Sequence, residues 1–198
     1  FDGASWFPLG GGVNGAVRAF AVFDDGFGAK LYAGGSFTSA GGVACGRIAR
    51  WDGVSWTAAG GGFDADVLSL AVFDDGSGPR LIAGGTFSLA DGAPAARIAA
   101  FDGVSWTPLG AGVAASGGGF AEVATLVAGD AGEGPRLYAG GSFATAGGVP
   151  AANMAAWDGA NWSATGAACS AVRALTIHPV GGTPRLHAAL VYTDGFGV

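Results

Sequence analysis

The amino-acid sequence predicts an all-β protein, a β-propeller-like array of four-stranded antiparallel blades. Two observations favour this fold: a unit of about 50 residues recurs four times along the chain, and each unit contains short strand-like segments separated by Gly-rich turns. A third observation is that the apolar residues never keep a helical spacing for three turns. The 40 glycines among 198 residues also disfavour helices, because each glycine costs about 1 kcal/mol relative to alanine in a helix.

Two motifs define the repeat. The motif Phe/Trp-Asp-Gly-x-Ser/Asn-Trp occurs four times and ends at Trp6, Trp56, Trp106 and Trp162. The motif Ala-Gly-Gly-Ser/Thr-Phe occurs at residues 33–37, 83–87 and 139–143. Its fourth copy has degenerated at residues 188–192. Residues 1–198 are therefore expected to form a single repeat domain, with repeats at 1–50, 51–100, 101–156 and 157–198.

Each repeat is expected to supply four strands, which in the first repeat are 17–24, 30–37, 47–51 and 55–59. The first of these is apolar on both faces, as in a strand that is buried on both sides. Asp-Gly steps at Asp25-Gly26 and Asp52-Gly53 supply the positive φ angles that tight turns need. The pair Gly34-Gly35 inside the second strand predicts a bulge or a close approach of neighbouring backbone.

A family resemblance follows from Gly34-Gly35, the aromatic-Asp pair Trp51-Asp52, and Trp56. In this order they resemble kelch-type propeller blades. The unit looks still more like the Gly-rich repeats of secreted bacterial proteins that carry WDG-x-SW…LYAGGSF blocks. The resemblance covers the whole chain and implies a propeller fold in a secreted or cell-surface protein. It implies no particular activity, because kelch-like folds host enzymes and adaptors alike.

The two ends of the sequence are complementary. The last repeat supplies two expected strands, 172–178 and 185–191, whereas the N-terminus supplies the end of a third strand at Phe1 and a whole fourth strand at 5–9. Three arrangements remain open. The N-terminal strand can complete the last blade and close a ring, the chain can be an arc of a longer array, or the strand can complete the open blade of another molecule and build a filament.

Composition excludes several classes of function. The formal net charge of −6 argues against nucleic acid as a partner. No apolar run reaches 18 residues, so no membrane span is expected. The sequence contains no nucleophile elbow, Ser-His-Asp set or phosphate-binding loop, and its two cysteines form no metal motif. We therefore expect no enzyme activity, no cofactor and no metal site.

The residues that recur in every repeat favour structural roles. Asp2, Asp52, Asp102 and Asp158 are expected to bond local amides in turns, since a catalytic residue would not need four equivalents. The four repeated tryptophans are expected to pack between blades rather than to stack on sugars. Asp24-Asp25-Gly26 offers too few alternating oxygens for calcium, and His178 and His187 lack a third metal ligand.

The loops offer few side chains for recognition. Most of their residues are Gly, Ala, Val and Ser, and the candidates for ligand-facing residues are Asn14, Asp64 and Asp66. Cys45 and Cys169 are predicted to lie on the same face, where an extracellular setting would allow a disulfide; two buried free thiols are the alternative.

The sequence therefore supports the hypothesis of a non-catalytic extracellular repeat protein, a binding or scaffold module with an unidentified protein or glycan partner. One alternative is a structural subunit of an extracellular filament that self-associates through an open blade edge. Another is a carbohydrate-binding module, which predicts exposed aromatic side chains on one face.

Overall fold

A computed structural model of the chain describes residues 3–5, 8–166 and 170–191. The described chain is all-β, and its strands form small antiparallel sheets. The helical structure within it is one short 3-10 turn, Ser116–Gly118, inside a Gly-rich insertion that the sequence predicts as loop. None of the described residues belongs to a helix with the length and apolar character needed to cross a membrane.

The first repeat forms a four-stranded sheet, sheet I, and a small two-stranded ribbon. Its strands are β1 (Val17–Asp24), β2 (Ala29–Gly35), β3 (Ser39–Ala40), β4 (Val43–Ala44), β5 (Ile48–Trp51) and β6 (Trp56–Ala58). Sheet I has the order β1-β2-β5-β6, while β3 pairs with β4. The four predicted strands are thus confirmed to within two residues, and the ribbon lies between the second and third of them.

The second and third repeats follow the same plan. The strands of the second repeat are β7 (Val67–Asp74), β8 (Pro79–Gly85), β9 (Leu89–Ala90), β10 (Ala93–Pro94), β11 (Ile98–Phe101) and β12 (Trp106–Pro108). Those of the third are β13 (Val113–Ala114), β14 (Glu122–Asp130), β15 (Pro135–Ser142), β16 (Thr145–Ala146), β17 (Val149–Pro150), β18 (Met154–Trp157) and β19 (Trp162–Ala164). Sheet II is β12-β11-β8-β7 and sheet III is β14-β15-β18-β19, each with the strand order of sheet I.

The fourth repeat contributes two strands within the described residues, β20 (Val172–Val180) and β21 (Thr183–Leu190), which form sheet IV. Both expected strands of this repeat are therefore present, each extended at the connecting turn. The strand expected at 5–9 is not found in its described part, residues 5, 8 and 9. Phe1, Asp2, Trp6 and Phe7 lie outside the described residues.

The second glycine of each Gly-Gly pair allows a bulge inside its own sheet. The pairing of β1 with β2 shifts register between Val17 and Ala19, opposite Gly34 and Gly35. A Cβ placed on Gly35 would lie 2.0 Å from the carbonyl oxygen of Ala16. Gly85 and Gly141 have the same relation to the preceding strand. The predicted bulge is thus confirmed, and any side chain at this position would collide with backbone.

The first glycine of each pair receives a valine from the next repeat. A Cβ placed on Gly34 would lie 2.5 Å from Cγ1 of Val67. The same relation holds between Gly84 and Val123 at 2.5 Å and between Gly140 and Val172 at 2.6 Å. All three valines are fully buried. Each glycine is therefore a recess that allows the first strand of the next sheet to approach.

These contacts stack the sheets in chain order, with β1 against β7, β7 against β14 and β14 against β20. We call the face of a sheet that points to the preceding repeat its leading face, which in sheet II carries Val67, Leu70 and Val72. The opposite face is the trailing face, which in sheet I carries Tyr32 and Gly34. One core cluster joins the trailing face of sheet I to the leading face of sheet II, and a second joins sheets II and III.

We predict that Gly84→Ala lowers the free energy of unfolding by about 2 kcal/mol, because the new methyl group overpacks the contact with Val123. Urea unfolding measures the effect. Gly119→Ala is the matched control, since that glycine has a negative φ and no atom nearer than 3.7 Å to an added Cβ.

The double variant Gly84→Ala/Val123→Ala should lose less stability than the sum of its two single changes, since the smaller side chain relieves the overpacking. Equal effects of the two glycine substitutions would show that the recess at Gly84 does not set the distance between the sheets.

Candidate functional site

The repeated tryptophans connect successive repeats. The indole nitrogen of Trp106 donates to the carbonyl oxygen of Ala59 at 2.9 Å, and that of Trp162 donates to Leu109 at 3.2 Å. Trp56 makes the same bond to Leu9 at 2.9 Å. All three side chains are buried. The predicted packing role is therefore confirmed for these three, whereas Trp6 lies outside the described residues.

The turn between the third and fourth strands of a sheet, which we call its outer turn, carries one of the recurring aspartates. These aspartates bond local amides, as predicted. Oδ1 of Asp52 accepts hydrogen bonds from the backbone N–H groups of Val54 and Ser55, each at 2.8 Å. Asp102 and Asp158 repeat this pattern. These backbone hydrogen bonds hold the pKa of each carboxyl below its ordinary value. The fourth equivalent, Asp2, lies outside the described residues.

The hairpin between the first two strands of one sheet docks on the outer turn of the next. A Cβ placed on Gly103, in the β11–β12 turn, would lie 2.9 Å from the carbonyl oxygen of Asp25. One placed on Gly159, in the β18–β19 turn, would lie 2.6 Å from Cβ of Asp75. Both glycines have φ above +100°. Glycine is therefore required at these turns by backbone conformation and by the close docking.

Asp25 is the centre of a buried polar cluster in sheet I. Its side chain is fully buried; Oδ1 lies 2.5 Å from Nζ of Lys30, and Oδ2 lies 2.6 Å from a guanidinium nitrogen of Arg50. The hydroxyl of Tyr32 donates to Oδ2 at 3.2 Å. Burial alone would raise the pKa of Asp25, but the hydrogen bonds from Lys30 and the Phe27 amide outweigh it, and the pKa is lowered. Burial raises the pKa of Tyr32 to about 12, so its phenol stays protonated and donates.

This cluster changes from repeat to repeat. In the second repeat, Asp75 pairs with Arg80 at 2.5 Å, while the counterparts of Tyr32 and Arg50 are Ile82 and Ala100. In the third repeat, the counterparts of Asp25 and Arg50 are Ala131 and Ala156. Arg50 is distant in sequence from Asp25, so no motif predicts the cluster. The one signal in the sequence is that both residues are present in the first repeat and both are replaced by alanine in the third.

Asn14 and Asp64, two of the candidate ligand-facing residues, hold the connecting loops together. They are repeat equivalents, and both side chains are exposed. Oδ1 of Asn14 accepts from the amides of Thr38 and Ser39 at 2.8 and 2.9 Å. Asp64 accepts from the amides of Ser88 and Leu89, each at 2.8 Å, and from the Ser88 hydroxyl. Burial acts to raise the pKa of Asp64, but these hydrogen bonds lower it overall.

Asp66 and the two cysteines are placed differently. Asp66 is partly exposed and lies 3.9 Å from Nε of Arg47. Cys45 is buried, and burial raises the pKa of its thiol. Cys169 lies outside the described residues, so the disulfide between Cys45 and Cys169 stays a prediction. Of the candidate residues, Asn14 and Asp64 occupy equivalent sites in successive repeats and do not converge on one pocket.

A cavity of about 430 Å³ opens between sheets III and IV. Its polar lining comes from Glu133, Tyr138, Ser163, Thr165 and Arg185. Oγ1 of Thr165 is buried and has no hydrogen-bond partner in the described part of the chain. The cavity lies beside Ala131 and Ala156, which replace the aspartate and arginine that surround the equivalent tyrosine in sheet I. The cavity has no signal in the sequence, because small side chains give no motif.

The other residues considered for recognition are dispersed. His178 and His187 lie on the exposed trailing face of sheet IV with ring centroids 6.2 Å apart. Within residues 3–5, 8–166 and 170–191, no group of three or more His, Cys, Asp or Glu side chains could hold a metal ion. The strongly exposed aromatic side chains of the described chain are Phe20, Phe27 and Phe120, on a strand, a hairpin and a connecting link.

Comparison with protein-family models, with curated protein sequences and with solved structures found no match for this chain.

We predict that Asp25→Asn lowers the free energy of unfolding by about 2–3 kcal/mol at pH 7, because two cations then face a neutral amide. The folded-state pKa of Asp25 is below its ordinary value of 3.8, so its contribution is present above that value and is lost as the pH falls through the folded-state pKa. The difference between the two proteins in urea unfolding should therefore shrink as the pH is lowered from 7 to 3.

Asp24→Asn is the control for this experiment, since the exposed Asp24 accepts amide hydrogen bonds that an asparagine oxygen can also accept. A difference between wild type and Asp25→Asn that is independent of pH would argue against the charge of Asp25 as the stabilising feature.

We predict that Asp64→Ala lowers the free energy of unfolding by about 1 kcal/mol, because two amides and the Ser88 hydroxyl lose their acceptor at an exposed site. Asp66→Ala should change it by less than about 0.5 kcal/mol, since its pair with Arg47 is long and partly exposed. Thermal unfolding of both variants makes the comparison. An unchanged stability in Asp64→Ala would return this residue to the candidates for ligand contact.

Proposed function

We propose that this protein is a non-catalytic β-propeller-like repeat scaffold that acts outside the cell, secreted or at the cell surface, and presents a rigid surface to a protein or glycan partner. The kelch-like resemblance of its sequence motifs agrees with this proposal. The observation that carries it is the recurrence of the same contacts between successive repeats.

Three kinds of contact support a rigid arrangement. A glycine recess accepts a valine at each of the three junctions between sheets. The indole N–H groups of Trp106 and Trp162 bond the residue that follows the outer strand of the preceding repeat, and Trp56 makes the equivalent bond to Leu9. An outer turn docks on the preceding hairpin at Gly103 and Gly159. Sheets I to III are joined at their first strands, near their fourth strands and at their hairpins, so these three repeats have little freedom to move relative to one another.

The use of the polar side chains supports a scaffold role. Asp25, Asp52, Asp64 and Asp102 all accept hydrogen bonds from groups of the chain itself. Charged residues are only 12% of the sequence, so the surface offers few charges to a partner. A surface of this kind recognises partners through shape and backbone hydrogen bonds rather than through ion pairs.

The alternative of a self-assembling subunit has one observation in its favour. Phe20 and Val22, on the leading face of sheet I, are 58% and 64% exposed. Their counterparts Leu70 and Val72 on sheet II are packed against the core cluster shared with sheet I. In sheet II the leading face is covered by the preceding sheet. In sheet I the equivalent face is apolar and exposed among the described residues.

The propeller-like arrangement predicts a curved array of sheets. With spin labels on cysteines at Val22 in β1 and Thr176 in β20, in a Cys45→Ala/Cys169→Ser background, we expect one narrow distance distribution centred at about 20 Å or less. A straight stack would give about 30 Å, which is three sheet spacings of about 10 Å. Pulsed electron paramagnetic resonance measures the distance. A centre near the larger value would contradict the curved array, and a broad distribution would contradict a rigid scaffold.

A further inference from the structure

The carboxylate of Asp91 lies in a cradle of three backbone amides in the second repeat. Asp91 belongs to the turn between β9 and β10. Its Oδ1 accepts hydrogen bonds from the N–H groups of Gly61 and Gly62 at 2.7 and 3.1 Å. Its Oδ2 accepts a third from the N–H of Trp106 at 2.7 Å. The link from β6 to β7 and the start of β12 thus present their amides to one carboxylate, an arrangement that favours bound anions.

The third repeat contains the same cradle around a glycine. Its amides are those of Ala111, Gly112 and Trp162, and Gly147 takes the place of Asp91. The backbone conformations agree, since φ is +58° at Gly147 and +50° at Asp91. The N–H of Gly147 donates to the carbonyl oxygen of Gly112 at 2.8 Å, and Asp91 makes the equivalent bond at 2.9 Å. The third-repeat cradle therefore has the backbone of the second-repeat cradle without its carboxymethyl group.

The N–H of Trp162 points out of sheet III. Trp162 pairs with Trp157 next to the backbone hydrogen bond from Asp158 to Asn161, which closes the outer turn at 3.2 Å. Residue pairs of an antiparallel ladder alternate between bonded and non-bonded, so this N–H faces away from β18. In the second repeat, Trp106 uses the equivalent N–H to bind the carboxylate. In the third repeat, this N–H has no acceptor among the described residues.

The other two amides of the third-repeat cradle are also accessible to a ligand. The N–H of Ala111 has no acceptor within residues 3–5, 8–166 and 170–191. The N–H of Gly112 bonds the carbonyl oxygen of Leu109 at 3.2 Å, within its own link. Ala111 and Gly147 are both exposed, so the cradle opens to solvent.

The first repeat does not preserve this arrangement. It also has a glycine, Gly41, in the place of Asp91, but its link differs in conformation. Gly11 has φ +80°, whereas Gly61 and Ala111 lie outside the left-handed region. The first link therefore presents its amides differently, and we confine the site to the third repeat.

A carboxylate is the ligand that suits these amides. It is the group that the second repeat places there, and amide hydrogen bonds to a charged oxygen are stronger than those to a neutral one. The group that distinguishes Asp91 from Gly147 is one carboxymethyl, which is also the end of an aspartate side chain. An aspartate of another molecule can therefore supply to the third repeat what Asp91 supplies to the second.

We propose that the third-repeat cradle, formed by the amides of Ala111, Gly112 and Trp162, is a carboxylate-binding site whose ligand is an aspartate side chain of a protein partner. The two oxygens of the carboxylate accept hydrogen bonds from the link and from the start of β19. The inference rests on the proposed function, a scaffold with a partner, and names the chemistry of one contact between them.

The test is nuclear magnetic resonance of the whole 198-residue chain, labelled with ¹⁵N, at pH 7. The peptide acetyl-Gly-Asp-Gly-amide should shift the amide signals of Ala111, Gly112 and Trp162 in a saturable manner, with a dissociation constant on the order of 10 mM. Sodium acetate should shift the same signals. Acetyl-Gly-Asn-Gly-amide and sodium chloride of equal ionic strength should not, because neither carries a carboxylate.

Matched variants locate the site. Gly147→Asp supplies a carboxylate from within the chain, as Asp91 does in the second repeat, and should weaken binding of the Asp peptide about tenfold or more. Gly148→Asp is the control. It adds the same charge one residue farther along, where no atom lies within 4 Å of an added Cβ, and should bind within about threefold of wild type.

Asp91→Gly keeps the test valid if Gly147→Asp does not fold. This variant converts the second-repeat cradle into a copy of the third. Sodium acetate should then shift the amide signals of Gly61, Gly62 and Trp106 in a saturable manner, whereas in the wild type Asp91 already holds these amides.

Three results would overturn the proposal: no saturable shift, shifts confined to other parts of the chain, or equal binding to wild type and Gly147→Asp. Shifts with acetate but not with the Asp peptide would overturn the assignment of the ligand to a side chain of a partner. Failure here is distinct from failure of the proposed function, because the label distance between β1 and β20 reports on the stacking of the sheets whether or not a carboxylate binds.

Discussion

The structure depends on the absence of a side chain at one position of the second strand. At Gly34, Gly84 and Gly140, a valine from the next sheet occupies the space that a Cβ would fill. This contact determines how closely the first strands of neighbouring sheets approach each other. The close approach in turn allows the tryptophan of one repeat to reach the outer strand of the preceding one, and it allows the outer turn to reach the preceding hairpin. Burial of apolar side chains between the sheets follows from this spacing and stabilises the array.

Much of this arrangement could be predicted from the sequence because the chain repeats itself. The strands, the bulge at Gly35 and the packing role of Trp106 follow from patterns that recur in each unit. The cluster around Asp25 could not be predicted, because Arg50 reaches it across the sheet from a third strand whose side chain differs in the other repeats. The cavity beside Tyr138 could not be predicted either, since it arises where side chains are small and a strand is missing among the described residues.

The loop-holding side chains show how this sequence uses its few charges. Asp91 has φ +50°, in the left-handed region, where the equivalent positions of the first and third repeats have Gly41 and Gly147. Its carboxylate accepts hydrogen bonds from the amides of Gly61, Gly62 and Trp106. Three charge-assisted hydrogen bonds offset the backbone strain of a non-glycine residue in this conformation. The backbone N–H of Asp91 bonds the carbonyl oxygen of Gly62, as the equivalent glycines bond Gly12 and Gly112, and the carboxylate adds three further bonds to this connection.

The fourth repeat departs from the plan at the very position that controls stacking. Its counterparts of Gly34 and Gly35 are Ala189 and Leu190. A sheet stacked on sheet IV in the geometry of the other junctions would bring a valine methyl group against the Cβ of Ala189. Thr176, His178 and His187 also make its trailing face more polar than that of sheet I. A sheet stacked on the trailing face of sheet IV would therefore have to lie farther away than the sheets at the three junctions of this chain, because alanine fills the recess that glycine leaves open at Gly34, Gly84 and Gly140.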